Sequence, residues 1–396
     1  MADIHFVMLF NGTGNDDHDP ALTNVVKMRD GLVKDDKQFV IYRDGIGNDK
    51  QWGWLTAWFS KLTGWGGGWV MHRAYKELLT TLRKAIADRK IKPNDTLHFS
   101  VNGFSRGSAL ARHFAIHYIQ GRLIKDIPLK FKIDLQVKLD AEYLFDTVGA
   151  FGIPFDIWLL TKIGIYDQQI DPGWDFYIPK DTKAYHALSV DEQRKPFTPK
   201  LIDKNKLIEE VWFDGDHSSV GGGYPTTKKD EILSDENPLR YMVRRAMENG
   251  LRFVDSFLKE HQIEKYLQNP LGTIHTPLWK EWPETQRGPR KIYIQRENMP
   301  SNLSPLVAES VVKRMENDRT YRPTALKNLP KFRILKEDHK VESYPPQKVT
   351  DLWTSLDKLA ASKVLQFTKP SSLAVGASQG APILPEERKK SIVKRR

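Results

Sequence analysis

The chain has no cysteine in its 396 residues. That excludes disulfides, a thiol nucleophile and thiolate metal ligation, and it withholds one clue to redox compartment. Long hydrophobic runs are also lacking. No uninterrupted apolar stretch approaches the roughly 20 residues of a membrane-spanning helix, and the richest segment, Phe151 to Tyr166, is broken by Pro154, Asp156 and Lys162. The first ten residues carry no basic segment. Ile4 to Phe10 runs into Asn11-Gly12-Thr13-Gly14 and reads as a buried strand entering a glycine loop rather than a signal peptide. Cytoplasmic residence in the producing cell is therefore expected, and export without a signal peptide is compatible with it. No internal repeat is visible. The Asn11–Gly14 loop has neither the lysine and spacing of a P-loop nor a completed G-x-G-x-x-G, so nucleotide binding is not indicated. No metal or organic cofactor is expected.

The charge is lopsided. Sixty-one Lys and Arg stand against fifty Asp and Glu, a net +11. A basic surface attracts phosphate, on an anionic membrane or on nucleic acid. Much of the excess falls in Arg388, Lys389, Lys390, Lys394, Arg395 and Arg396, which reads equally as a solvated tail. Ser371 to Pro385 is rich in Ser, Gly, Ala and Pro and reads as linker. The expected organisation is a catalytic domain over residues 1–330 and a C-terminal extension with a basic tail over 331–396.

Residues 103–107 read Gly-Phe-Ser-Arg-Gly, a G-x-S-x-G. Alone this pattern is weak. Its context gives it weight: Leu97, Phe99 and Val101 alternate before it, and Ala109, Leu110, Phe114, Tyr118 and Ile119 recur at helical spacing after it. A serine on a sharp strand-to-helix turn projects its hydroxyl above a sheet, and the helix N-terminus faces developing negative charge. Polar His98 and Ser100 fit a central parallel strand less well. Three further strand candidates also end in loops that could carry chemistry. Ile4–Phe10 leads to Asn11–Gly14, Ala141–Phe145 to Asp146-Thr147-Val148-Gly149, and Leu207–Phe213 to Asp214-Gly215-Asp216-His217. Helices are expected over 73–89 and over 238–249, the second capped by Asn237 and stopped at Gly250. Strands alternating with helices predict a mostly parallel sheet with helices on both faces, of α/β-hydrolase type, with insertions able to form a lid. Sites in such sheets collect at the strands' C-terminal ends.

A serine hydroxyl needs a base. Of the eleven histidines, His98 lies in the strand below the serine, and His113 and His117 lie on the following helix. His217 follows a strand and precedes Gly221-Gly222-Gly223, which allow close passage of another element, so it is the preferred base. Asp146, between serine and histidine in the chain, completes the order Ser105, Asp146, His217. Asp214, Asp216, Asp191 and Glu192 are rival acids, and Asp146 is alternatively a turn cap. The oxyanion hole is expected from the N–H of Arg106 with that of Gly12 or Thr13. Trp52, Trp54, Trp58, Trp65 and Trp69 fall within eighteen residues and read either as lipid contacts or as an aromatic core cluster.

These blocks together resemble an α/β-hydrolase family that includes the type VI secretion phospholipase effectors of the first lipase class. The resemblance is carried by Phe10-Asn11-Gly12-Thr13-Gly14-Asn15, by Gly103–Gly107 with Ala111-Arg112, by Phe145–Gly149, by His186–Glu192 and by Val211–Tyr224, with a late echo in Glu309–Arg314 and Tyr321-Arg322-Pro323. It implies a Ser105–Asp146–His217 triad, acyl-ester hydrolysis of glycerophospholipids, and secretion-machinery or immunity-protein partners. Nucleic acid is not an implied partner. Asn11 stands where the family usually carries Asp, so a carboxylate role there, metal binding included, is not implied. A soluble carboxylesterase or thioesterase using the same triad, and a non-catalytic binding protein on the same fold, are the alternatives.

Overall fold

In the computed structural model, residues 1–12, 21–45, 65–149, 177–202, 207–225, 232–263, 272–274, 284, 287–293, 304–318, 320–327, 329–336, 338 and 340–367 are described. Thr13, Trp52, Trp54, Trp58, the lid candidate 151–166 and the basic tail lie outside them.

Among the described residues nine strands form one sheet: β1 (Asp3–Phe10), β2 (Gln38–Arg43), β3 (Thr96–Phe104), β4 (Gln136–Phe145), β5 (Lys183–Ser189), β6 (Ile208–Phe213), β7 (Leu306–Ala308), β8 (Phe332–Leu335) and β9 (Val341–Tyr344), in the order β2-β1-β3-β4-β5-β6-β7-β8-β9. All neighbouring pairs are parallel except β8–β9. The helices are α1 (Asn24–Gly31), α2 (Trp65–Ala87), α3 (Arg106–Phe114), α4 (Ile124–Phe131), α5 (His217–Gly221), α6 (Glu236–Glu248), α7 (Asp255–Glu260), α8 (Glu309–Asn317), α9 (Thr324–Lys327) and α10 (Pro346–Phe367). A π-helical stretch, Ala115–Leu123, joins α3 to α4.

The predicted α/β architecture is present, and its two cores follow from strand alternation. Ile4, Phe6, Met8 and Phe10 of β1 pack with Leu97, Phe99 and Val101 of β3 against α2 and α3. Val7 and Leu9 point the other way and join Tyr143, Trp212, Met242 and Val311 beneath α1, α6 and α8. Strands buried on both faces are what a parallel sheet demands. The polar face of β3 has specific partners instead. His98 lies between Asp140 and Asp3 at 2.8 and 3.1 Å and stacks on His5. Asn102 donates to the Met28 sulfur at 3.0 Å.

Several boundaries differ from the sequence reading, among them the helix expected over 73–89, which spans Trp65–Ala87. Strand β4 starts at Gln136, not Ala141, and its register with β3 shifts between Phe99 and Ser100, which leaves Asp140 as the extra residue of a bulge. That bulge spends Asp140 on His98 and interrupts the alternation a sequence reader follows. The sheet also continues past residue 330, where the catalytic domain was expected to end. Strands β8 and β9 add to its edge and bury Phe332, Ile334 and Leu335 in the main core. Helix α6 begins one residue before Asn237, with Asp235 at the cap position.

Candidate active site

The strand order reverses at β1, and the C-terminal ends of the strands at such a reversal are the usual ligand position in open α/β sheets. Ser105 stands there between β3 and α3. Its backbone has φ 58° and ψ −126°, a conformation non-glycine residues rarely adopt. The flanking glycine makes this turn feasible. A Cβ on Gly107 would lie 2.3 Å from the carbonyl oxygens of both Phe10 and Asn11, so the serine turn presses directly on the end of β1.

The turn is tied to the neighbouring strand by backbone hydrogen bonds. Ser105 N–H donates to Phe145 O at 2.9 Å, and Val148 N–H donates to Ser105 O at 3.2 Å. This places Asp146, the residue after Phe145, beside the serine. Asp146 is fully buried with φ 40°. Its N–H donates to Ala187 O at 2.7 Å, and its Oδ1 accepts from Ser189 N–H at 3.1 Å.

His217 opens α5 after β6. Its Nδ1 donates to Asp146 Oδ2 at 2.5 Å. Phe104 and Phe197 flank the ring at centroid distances of 4.6 and 4.9 Å, the latter edge-on. The glycines behind it act as the sequence suggested. A Cβ on Gly222 would meet Asn24 N at 2.6 Å, where the chain forms a bridge to Thr23. The structure thus joins Asp146 and His217 by a hydrogen bond and ties the Ser105 backbone to Phe145, the residue before Asp146. No hydrogen bond joins the Ser105 hydroxyl to His217 among the described residues; such contacts commonly tighten only when substrate binds.

The rival acids have other partners. Asp216 caps α5 through Ser219 N–H at 3.0 Å and accepts from Tyr224 OH at 2.6 Å. Asp214 pairs with Arg314 at 2.7 Å and with Ser310 at 2.6 Å. Asp191 accepts from Tyr321 OH and Gly215 N–H, and burial together with Asp214 and Asp216 pushes its pKa up to about 7. Glu192 holds the Arg194 fork at 2.9 and 2.7 Å and accepts the His217 backbone N–H at 3.3 Å. His113 and His117 pack on each other along the helix, with centroids 4.2 Å apart.

The expected oxyanion donors divide. Arg106 N–H is the first of α3, where no intrahelical acceptor exists, and among the described residues it has no other partner. Gly12 is corrected: its N–H donates to the Asn11 side-chain oxygen at 2.8 Å, an oxygen that also accepts from Thr23 Oγ1 at 2.7 Å. An asparagine whose side chain folds onto the next amide takes up that donor. The Arg106 side chain is partly buried and meets no carboxylate among the described residues; burial holds its pKa down, to about 10. Trp69 is 40% exposed on α2, with the Arg73 guanidinium 4.4 Å above its ring; of Trp65 only the backbone is described.

Two participants carried no assignment in the sequence reading. Arg290 clasps Asp146 with both terminal nitrogens, Nη1 to Oδ1 at 2.6 Å and Nη2 to Oδ2 at 2.8 Å. Burial alone would raise the Asp146 pKa, but the Arg290 charge and the hydrogen bonds from His217 and Arg290 hold it well below the usual carboxylate range. His186, fully buried on β5, accepts Thr147 N–H on Nε2 at 3.0 Å and donates from Nδ1 to Glu210 at 3.1 Å, so it braces the residue after Asp146. Burial holds its pKa down despite Glu210. Among the described residues no group of His, Asp and Glu is arranged to hold a metal, and no helix is long and apolar enough to cross a membrane.

Solved structures to which the chain is similar include an uncharacterized protein from Pseudomonas aeruginosa, 20% identical, covering 68% of this chain and 50% of that one with a TM-score of 0.42. Another is the Tle1 effector bound to the VgrG spike of the type 6 secretion system, 17% identical, covering 59% and 54% with a TM-score of 0.43. The chain therefore spans about half the length of each. No curated protein matches it in sequence. The family model for the catalytic domain of Tle1-like type VI secretion phospholipase effectors matches residues 5–129 and 130–245, more than half of the chain, and the chain belongs to that family.

Proposed function

We propose that this protein hydrolyses an acyl ester of a glycerophospholipid through an acyl-enzyme. Ser105 Oγ attacks the ester carbonyl while His217 Nε2 takes its proton. Arg106 N–H, at the positive end of α3, stabilises the oxyanion, with Thr13 the proposed second donor in place of Gly12. Asp146 keeps Nδ1 protonated and stabilises the imidazolium that forms. His217 then protonates the leaving alcohol, and water activated by the same imidazole releases the fatty acid.

The observation that carries this reading is the 2.5 Å His217–Asp146 pair standing beside a serine held at positive φ. The lipid substrate is supported by family membership and by the Arg106 guanidinium, which lacks a carboxylate partner among the described residues next to the serine and suits a phosphate-bearing substrate. Family membership also supports delivery by the type VI apparatus, testable by co-purification with a spike protein. The deciding experiment is incubation with defined phospholipids and mass spectrometry of the products. Free fatty acid and lysophospholipid are expected from the wild type and none from Ser105→Ala; equal turnover by the variant would refute the assignment.

A further inference from the structure

Asp146 is fully buried, yet it carries the charge that the proposed mechanism needs. In most surroundings of this kind a carboxyl group escapes the cost of desolvation by taking up a proton. The groups facing it decide the outcome. His217 approaches from α5 and Ser189 N–H from the end of β5, while buried His186 lies on β5 itself. Glu192 is the nearby carboxylate, and Arg194 answers it with a two-nitrogen fork. Arg290 is the cation in contact with Asp146 itself.

The contact has the fixed fork geometry that suits a carboxylate. Arg290 Nη1 also donates to Ser189 O at 3.1 Å and Nη2 to Phe197 O at 2.5 Å. One guanidinium thus fastens the loop after β4, the end of β5 and the segment whose Phe197 ring flanks His217. Its own segment is anchored beside Glu192, since Gly288 N–H donates to Gln193 O at 2.9 Å and Arg287 bridges Arg194.

We propose that Arg290 is a positioning residue, one that keeps the buried Asp146 ionised and aimed at His217 Nδ1. This rests on reading Ser105, Asp146 and His217 as the reacting set. Arg290 touches no reacting atom; it acts through Asp146. With the guanidinium removed, burial dominates, Asp146 takes up a proton at higher pH, and a protonated acid no longer supports the imidazolium. Activity is then lost at a higher pH as the solution is acidified.

The test uses a fluorophosphonate, which needs no knowledge of the lipid. Ser105 Oγ bonds to phosphorus, fluoride leaves, and the hydroxyl proton passes to His217. Intact mass reads the adduct as a function of time and pH on the full chain. In Arg290→Gln, labelling is expected to slow about 10- to 100-fold at pH 7, less than loss of the acid itself, and its acidic midpoint to rise by about one to two pH units. Arg290→Lys keeps the charge and loses the fork, so it should restore the midpoint while labelling more slowly than wild type. Wild-type rate and midpoint in Arg290→Gln overturn the proposal. If that variant does not fold, Arg290→Lys decides alone, and a wild-type rate overturns it. Failure of the wild type to label at Ser105 overturns instead the triad reading beneath the proposal, an outcome distinct from either.

Discussion

Replacing Asp146 by asparagine changes one oxygen to an amide and little else in shape. The consequences follow from four hydrogen bonds, all donated to this carboxylate. His217 Nδ1 and Arg290 Nη2 point at Oδ2, and Ser189 N–H and Arg290 Nη1 point at Oδ1. An asparagine offers one acceptor and one donor, so whichever way it is turned its NH₂ faces two donors. If the NH₂ takes the Oδ2 side, His217 must present Nδ1 as an acceptor and carry its proton on Nε2, where it cannot take one from Ser105. The rate should then fall on the order of 10⁴-fold, the loss seen when a triad aspartate becomes asparagine, or about 5 kcal/mol of transition-state stabilisation. Turning the other way spares the tautomer but still faces Arg290. In both orientations a buried guanidinium loses its counter-charge, for which about 3–5 kcal/mol of folding stability is the expected loss. Fluorophosphonate labelling would measure the first effect and urea unfolding the second. Labelling within tenfold of wild type would refute the role given to Asp146 and return attention to Glu192, which already accepts the His217 backbone N–H.

Two further outcomes follow from the geometry. Gly107→Ala puts a Cβ 2.3 Å from two backbone oxygens at the end of β1, which have no side-chain freedom to yield; a loss of about 1–3 kcal/mol and at least tenfold slower labelling of Ser105 are expected, and wild-type values in both would refute the close approach. Glu142, on β4, is fully buried with neither carboxylate oxygen hydrogen-bonded among the described residues, and burial, opposed by Arg112, raises its pKa to about 8. The folded state therefore holds a proton that the unfolded chain releases at lower pH, so the wild type loses stability as pH rises from the unfolded value near 4.5 towards 8. Glu142→Gln removes that dependence, and the difference between variant and wild type should widen by up to about 4 kcal/mol between pH 5 and 8; a constant difference in urea unfolding would refute it.

Much of the candidate site was legible because its parts follow strand ends. Ser105, Asp146 and His217 each follow an alternating or apolar run, and a strand end is something periodicity reports. What escaped has other origins. Arg290 sits in Gln286-Arg287-Gly288-Pro289-Arg290, a stretch without periodicity, and its role comes from a contact 144 residues away. Gly12 was expected from its position after β1; the competing acceptor was the side chain of the residue just before it. Asp216 and Asp214 could not be set aside by spacing, since their partners Tyr224, Ser310 and Arg314 are brought in by folding. Strands β8 and β9 are only four residues each, too short for their alternation to stand out from the polar residues around them.

Ser105 and Phe145 share a backbone hydrogen bond, so the proposed nucleophile and acid sit at the ends of adjacent strands of one ladder. Their separation is then fixed by the spacing of the sheet itself, about 4.8 Å between neighbouring strands, and cannot drift without tearing the ladder. His217 comes from β6, two strands beyond β4, on the five-residue α5. Two members of the set thus belong to a rigid frame and the third to a short arm laid across it. Substrate entry, turnover and inhibitor binding should register first in the amide exchange of residues 214–224, while the backbone around Phe145 stays protected throughout.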